Sequence, residues 1–361
     1  MRVHNFSAGP GVLPMEVLQE AARDLIDHPD FGMSVMESSH RAGVWVERQR
    51  KVTDDLRRLL SIPQEFEILW VQGGASTQFA MVPLNLLPSD GSASADYIMT
   101  GQWSDKALYE THQVGRTARI AASSKATNYD RIPGELDLDP GASFVHYTSN
   151  NTVRGTQFAA LPQTGDLPLV CDASSDILSR PMDFARHDLV YAGAQKNMGP
   201  AGVTLVIVRK SLLDRVEDNV PTMMCYKTHA AKASAYNTPP VWSLYMVGLV
   251  LEWVERQGGV EAMAKMCQSK AGLIYDVIDE EPDFYKGAAT TNSRSLMNVT
   301  FRLPTPELEA AFVAKADAEG LKNLKGHRSV GGCRASLYNA LPMESAQVLA
   351  QFMRDFRQQN A

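Results

Sequence analysis

From Phe66 to Lys210 short β-rich runs take turns with helices, and this alternation limits the folds open to the chain more than any other feature. EILWVQ leads into the helical TQFAMVPLNLL, DYIMTG into a helix after Trp103, and FVHYTS, LPLVCD, DLVYAGA and VTLVIVRK follow as further strands. Such a pattern specifies an α/β fold with a mainly parallel sheet covered on both faces. Ahead of it, helical periodicity runs through MEVLQEAARDLI after Pro14 and through WVERQRKVTDDLRRLL from Trp45. Behind it come a long apolar helix from about Trp242 to Arg256, the Gly258-Gly259 step, and a further helix beginning near Val260. The remainder reads helix, LMNVTFRL strand, ELEAAFVAKADAE helix, GCRASLYN strand, AQVLAQFMRDF helix. We therefore expect a large domain over 16–258 and a small α+β domain over 259–361.

Charge narrows the partners. A formal net charge of -6 and a pI near 5.8 give no electrostatic reason to expect nucleic acid or an anionic membrane. Any anionic ligand must then be held by local positive groups. The four cysteines, Cys171, Cys225, Cys267 and Cys333, lack Cys-x-x-Cys spacing, which argues against a disulfide framework or a metal site and fits a reducing cytoplasm. MRVHNFSAGPGVLP has no apolar run of the kind a signal peptide needs. Val241 to Leu251 is far short of the roughly 20 apolar residues of a membrane span.

Four positions point to chemistry. Lys196 lies in DLVYAGAQKNMGPAGVTLVIV, in a short turn between two apolar strands, where burial favours the neutral, nucleophilic amine. Asp172 ends the strand LPLVCD one strand unit upstream, so both residues reach the carboxyl edge at which open α/β sheets bind ligands. A carboxylate there can pair with a protonated pyridine nitrogen; it can equally cap Ala173-Ser174-Ser175. Gly73-Gly74-Ala75-Ser76-Thr77 follows EILWVQ and opens a helix, leaving backbone N–H groups for an anion, though it has neither P-loop nor dinucleotide spacing. Trp103 follows DYIMTGQ at the same edge, where its ring can stack on an aromatic cofactor or simply fill the core. His40-Arg41 in ESSHRAG and His327, Arg328 and Arg334 in LKGHRSVGGCRASLYN can gather carboxylate or phosphate oxygens.

Read together, NFSAGPGVLP, SVMESSHR, GGASTQF, NNTVRGTQF, DASSDILSRP, YAGAQKNMGPAG, YNTPP and KGHRSVGGCRASLYNA resemble the phosphoserine aminotransferases, class V members of the fold type I pyridoxal-phosphate enzymes. The likeness spans nearly the whole chain, with the phrases in the same order. It implies a mainly parallel seven-stranded sheet, a small domain against which residues 1–15 pack, and pyridoxal 5'-phosphate bound by Lys196 as a Schiff base. By the same resemblance Asp172 meets the pyridine nitrogen, Trp103 stacks on the ring and Thr152 bonds near the ring hydroxyl. Ala75, Ser76 and Gln195 would hold the cofactor phosphate, joined by Asn237 and Thr238 from the second chain of a homodimer. Arg334 would grip the substrate α-carboxylate, and His40, Arg41, His327 and Arg328 would receive the phosphate of phosphoserine or the side-chain carboxylate of glutamate. Some relatives have Ser at Ala8 and Arg at Ser76, which bears on substrate contacts but not on Lys196, Asp172 or Trp103.

The implied reaction is a ping-pong transamination from L-glutamate to 3-phosphohydroxypyruvate, giving O-phospho-L-serine for serine biosynthesis. A phosphorylated hydroxythreonine, used in vitamin B6 synthesis, offers the same phosphate and α-carboxylate. Imidazoles in the phosphate site lead us to expect weaker phosphate binding above neutral pH. Two other readings compete. A cysteine desulfurase on the same fold would need a reactive cysteine, for which Cys333 is the nearest in sequence to the substrate motifs; a non-catalytic phosphate-binding dimer would not need Lys196.

Overall fold

The computed structural model describes residues 2–360. Its centre is a seven-stranded sheet of β1 (Phe66–Val71), β2 (Ser94–Met99), β3 (Thr117–Ser123), β4 (Val145–Thr148), β5 (Leu169–Asp172), β6 (Leu189–Gly193) and β7 (Thr204–Arg209), in the spatial order β1-β7-β6-β5-β4-β2-β3. β7 runs antiparallel to both its neighbours and every other pairing is parallel. The antiparallel turn follows from chain length: the short loop from β6 to β7 has no room for the crossover helix that a parallel return needs. β3 is a strand that the hydrophobic pattern does not announce. It sits at the sheet edge with several residues exposed, so Thr117–Ser123 lacks the apolar run that marks a central strand.

Both faces of this sheet are covered. Ile68, Trp70, Cys171, Val190, Leu205 and Ile207 face one core, shared with Trp45, Val52 and Leu56 of α2 (Gly43–Leu59) and with the apolar side of the helix Val241–Arg256. Their alternates Leu69, Val71, Val170, Tyr191, Val206 and Val208 face the other, against Phe79, Met81 and Val82 of α3 (Gly74–Leu86) and Ala107 of α4 (Gln102–Gln113). Burial on both faces is why these strands read as continuous apolar runs. α1 (Met15–Asp24) starts after Pro14, and α5 is the helix Val241–Arg256.

A second, three-stranded antiparallel sheet joins β8 (Lys286–Gly287), β9 (Asn298–Arg302) and β10 (Cys333–Ser336). Around it lie α6 (Gly259–Glu280), α7 (Pro306–Ala318) and α8 (Met343–Gln359), with Phe301, Phe312, Phe352 and Phe356 packed edge to face. Phe6 belongs to this core, and His4–Asn5 pairs in parallel with Leu321–Lys322. The chain then runs to the large sheet, where the Gly11 N–H donates to the Gln195 carbonyl at 2.7 Å. A Cβ at Gly11 would stand 2.7 Å from the Lys196 carbonyl oxygen and 2.8 Å from the Tyr338 ring. Neither backbone nor buried ring yields cheaply, so Gly11→Ala should cost about 2 kcal/mol, read as a lower urea midpoint at unchanged slope; a parental midpoint would show that this approach is looser than it looks. Among the described residues no helix is long and apolar enough to cross a membrane.

Candidate active site

Asp172 closes β5, in register with Thr148 of β4 and Tyr191 of β6, and its side chain is buried. Its Oδ1 accepts the Ser174 N–H at 2.9 Å, so the local capping contact exists alongside the electrostatic one. Burial raises its pKa above the usual carboxylate range, against the opposing pull of Lys196. Lys196 follows β6 by three residues, and its Nζ donates to Thr152 Oγ1 at 2.8 Å and stands 5.4 Å from the Trp103 ring centroid. Burial pulls the lysine down to about 8, with Asp172 acting in the other direction. For both partners desolvation outweighs mutual attraction. The result is an amine that is still mostly protonated at neutral pH but loses its proton far more readily than an ordinary lysine, and is free to react from about pH 8 upward.

Trp103 sits in the first turn of α4, and its indole Nε1 is buried without a partner. The helix approaches closely because residue 101 is glycine: a Cβ there would lie 2.7 Å from Asn151 Oδ1. Arg334 enters from β10 of the small sheet, where its Nη1 donates to the Thr152 carbonyl at 3.3 Å while Nε stays buried and unpartnered. His327 and Arg328 lie on the loop just before β10, the imidazole Nδ1 sharing a 2.7 Å hydrogen bond with Ser329 Oγ. Burial lowers the His327 pKa, and Arg334, Arg328 and Lys106 lower it further. These neighbours disfavour the charged imidazole, an effect that a bound phosphate would oppose, so the expected weakening of phosphate binding at higher pH stands as a prediction.

The Gly73-Gly74 turn, both residues at positive φ, delivers the chain from β1 into α3. A side chain at Gly73 would collide with Thr77 Oγ1, and the Gly74 N–H is taken by Thr204 Oγ1 at 2.8 Å. Ala75 and Ser76 follow in the first helical turn, where backbone N–H groups have no intrahelical acceptor. Gln195 folds over Gly193, whose added Cβ would come within 2.6 Å of its Oε1. Asn237 lines a cavity of about 360 Å³ with Gln72, Gly73 and Thr77, and the exposed Thr238 accepts Gln72 Nε2 at its carbonyl, 3.3 Å away.

His40 and Arg41 stand apart. His40 lines a separate cavity with Gln49, Thr53, Trp70 and Ala233, and its buried Nε2 has no partner. The Arg41 N–H donates to Ser39 Oγ. No hydrogen bond among the described residues ties this pair to the Lys196 cluster within one chain. Conversely, the structure adds Lys106, which pattern reading passed over: its Nζ lies 4.8 Å from the Trp103 ring centroid. The available signal was spacing, since residues 103 and 106 share a helix face. Cys333 is buried in β10 with its thiol pushed up to about 12, so it offers no reactive thiolate for desulfuration.

A pyridoxal phosphate group suits what is left open here. Trp103 Nε1, Arg334 Nε and Thr148 Oγ1 are buried polar atoms without partners, and Asp172, Lys196 and a helix start converge on the same sheet edge. The family model for class-V aminotransferases matches residues 3–349. Fold and site are thus those of a fold type I enzyme dependent on pyridoxal phosphate. The phosphoserine aminotransferase of Halalkalibacterium halodurans is 53% identical over 359 residues, 99% of each chain. That of Bacillus circulans subsp. alkalophilus superposes with a TM-score of 0.97 at 49% identity, covering 100% of this chain and 99% of the other. The pyridoxal-phosphate-bound phosphoserine aminotransferase of Trichomonas vaginalis gives 0.92 at 37%, covering 98% and 100%. The chain belongs to the class-V aminotransferases and, within them, to the phosphoserine aminotransferase family.

Lys196 makes one consequence measurable. Cofactor-free protein should take up pyridoxal phosphate faster as pH rises, levelling once the pH passes about 8. A rate that kept climbing towards the ordinary lysine range would mean that the amine is not desolvated.

Proposed function

We propose that the chain transfers the amino group of L-glutamate to 3-phosphohydroxypyruvate, releasing 2-oxoglutarate and O-phospho-L-serine. Carrying this reading is the coincidence of whole-chain identity near one half with phosphoserine aminotransferases and a Lys196–Asp172–Trp103 cluster beside uncompensated cations. When bound, pyridoxal phosphate supplies an electron sink for the substrate α-carbon. Asp172 would pair with its pyridine nitrogen, easing the cost of burying the carboxylate, and Trp103 would lie against its ring. Thr152 would bond near the ring hydroxyl, and the Ala75 and Ser76 N–H groups with Gln195 would hold its phosphate at the start of α3.

Lys196 Nζ then takes the proton from the α-carbon of glutamate and later gives one to the α-carbon of the second substrate. Arg334, fixed through the Thr152 carbonyl, would fork onto the α-carboxylate. His327 and Arg328 would face the distal anion, phosphate in one half-reaction and carboxylate in the other. A homodimer completes the site: the partner's Asn237 and Thr238 would reach the cofactor phosphate, and His40 and Arg41 would complete the distal-anion pocket of the second chain. We assign 1–15 to packing with the small domain, 16–258 to the large cofactor domain and 259–361 to the small one. Cytoplasm is the compartment that fits four unpaired cysteines.

The test is a coupled assay for 2-oxoglutarate formed from glutamate and 3-phosphohydroxypyruvate by the purified protein. Turnover that collapses when an unphosphorylated hydroxypyruvate replaces the phosphorylated acid supports the assignment. Equal rates with both would leave an aminotransferase of another specificity, and the phosphorylated hydroxythreonine should be compared in the same assay.

A further inference from the structure

Lys106 has no role in the reading above, yet its position is unusual for an exposed helical lysine. Its Nζ rests 4.8 Å from the centroid of the Trp103 ring, the ring that Lys196 Nζ approaches to 5.4 Å. Its charge is felt at His327 together with those of Arg328 and Arg334. The adjacent carboxylate, Asp105, is engaged elsewhere, its Oδ1 accepting the Tyr129 hydroxyl at 2.7 Å, and forms no ion pair with Lys106. None of Lys106, Arg328 or Arg334 enters an ion pair among the described residues, in a chain whose acids outnumber its bases and whose other arginines are largely paired. Clustered cations without counter-ions repel one another, and an anionic ligand is what relieves that repulsion.

We propose that Lys106 is a specificity-determining residue of the substrate site, its mobile ammonium contacting the distal anion from the α4 side and favouring a doubly charged phosphate over a singly charged carboxylate. This rests on the phosphoserine reading of the site. The discrimination follows from charge alone. A point charge attracts a dianion about twice as strongly as a monoanion at the same place, so an ammonium worth about threefold in the binding of a carboxylate is worth roughly ninefold for a phosphate. Arginine forks, by contrast, match either group through geometry.

Calorimetry of the holoenzyme at a pH near 8 separates binding from turnover, using two ligands that lack an amine: 3-phosphoglycerate and glutarate. Lys106→Ala should weaken 3-phosphoglycerate about tenfold and glutarate about threefold, and Lys106→Arg should restore most of both. Equal losses for the two ligands would make Lys106 a support for Trp103 only, and no loss for either would remove it from the site; each overturns the proposal. A parental protein that turns over phosphoserine while Lys106→Ala binds both ligands normally sinks this inference alone. A parental protein that binds neither ligand and ignores phosphoserine overturns the functional reading as well.

Discussion

Lys196→Ala is expected to lower transamination by at least about ten-thousand-fold, while the protein keeps its fold and still binds pyridoxal phosphate non-covalently. The size follows from two losses at one atom. In the proposed reaction Nζ would be both the nucleophile that holds the cofactor and the base that moves the α-proton, and the loop that presents it has no second amine. In the cofactor-free protein the substitution should not destabilise. A lysine pulled to about 8 by burial is held below its unfolded value, so its removal forfeits no favourable charge. Circular dichroism and a urea titration check the fold, and steady-state rates check the chemistry. Residual activity within a hundredfold of the parent would transfer the role to another residue.

Asp172→Asn should lower turnover about a thousandfold through loss of one preorganised charge at the reacting group. Stability should move the opposite way. Burial raises the Asp172 pKa in the folded state, so folding is favoured below the unfolded carboxylate range and penalised as pH rises through the folded value. At neutral pH that penalty is present in the cofactor-free protein, and the neutral amide removes it. Cofactor-free Asp172→Asn is therefore expected to be at least as stable as the parent while its holoenzyme is nearly inactive. An active variant would mean that the pyridine nitrogen needs no carboxylate, and a much less stable one would make Asp172 chiefly the partner of the Ser174 N–H.

How far the sequence foretells this arrangement depends on the range of the interactions. Asp172, Lys196 and the Gly73-Gly74 turn were legible because each follows an apolar strand, and doubly buried strands announce their carboxyl ends in the pattern. β3 was not, since an edge strand with exposed Ile120 carries no comparable run. The convergence of Arg334 on Thr152 joins residues 182 apart in sequence and has no local signature. The pattern offers Arg334 only as one of several cations able to gather an anion, and the resemblance, through a motif on the last strand of the small sheet, is what gives it the substrate α-carboxylate. Lys106 carries no local signal beyond its three-residue spacing from Trp103, since an exposed helical lysine is ordinarily a solvated charge.

Lys270 shows the converse. In QSKAGLIYD it reads as surface charge, but it is fully buried and donates to the Tyr338, Asn339 and Leu341 carbonyls at 2.7, 3.2 and 3.1 Å. That structural use of a buried lysine shows why desolvation alone does not identify a reactive amine. At Lys196 the added facts are Asp172 in the same electrostatic field, a ring alongside and unsatisfied donors around it.

The most direct test of the central claim is the visible absorption spectrum of the purified, cofactor-loaded protein before and after O-phospho-L-serine is added without an oxo acid. The account predicts that phosphoserine discharges the band of the Lys196-bound cofactor at a far lower concentration than serine does. Restoration should follow on adding 2-oxoglutarate. A band that phosphoserine leaves unchanged, in a protein whose spectrum shows the cofactor attached, would contradict it.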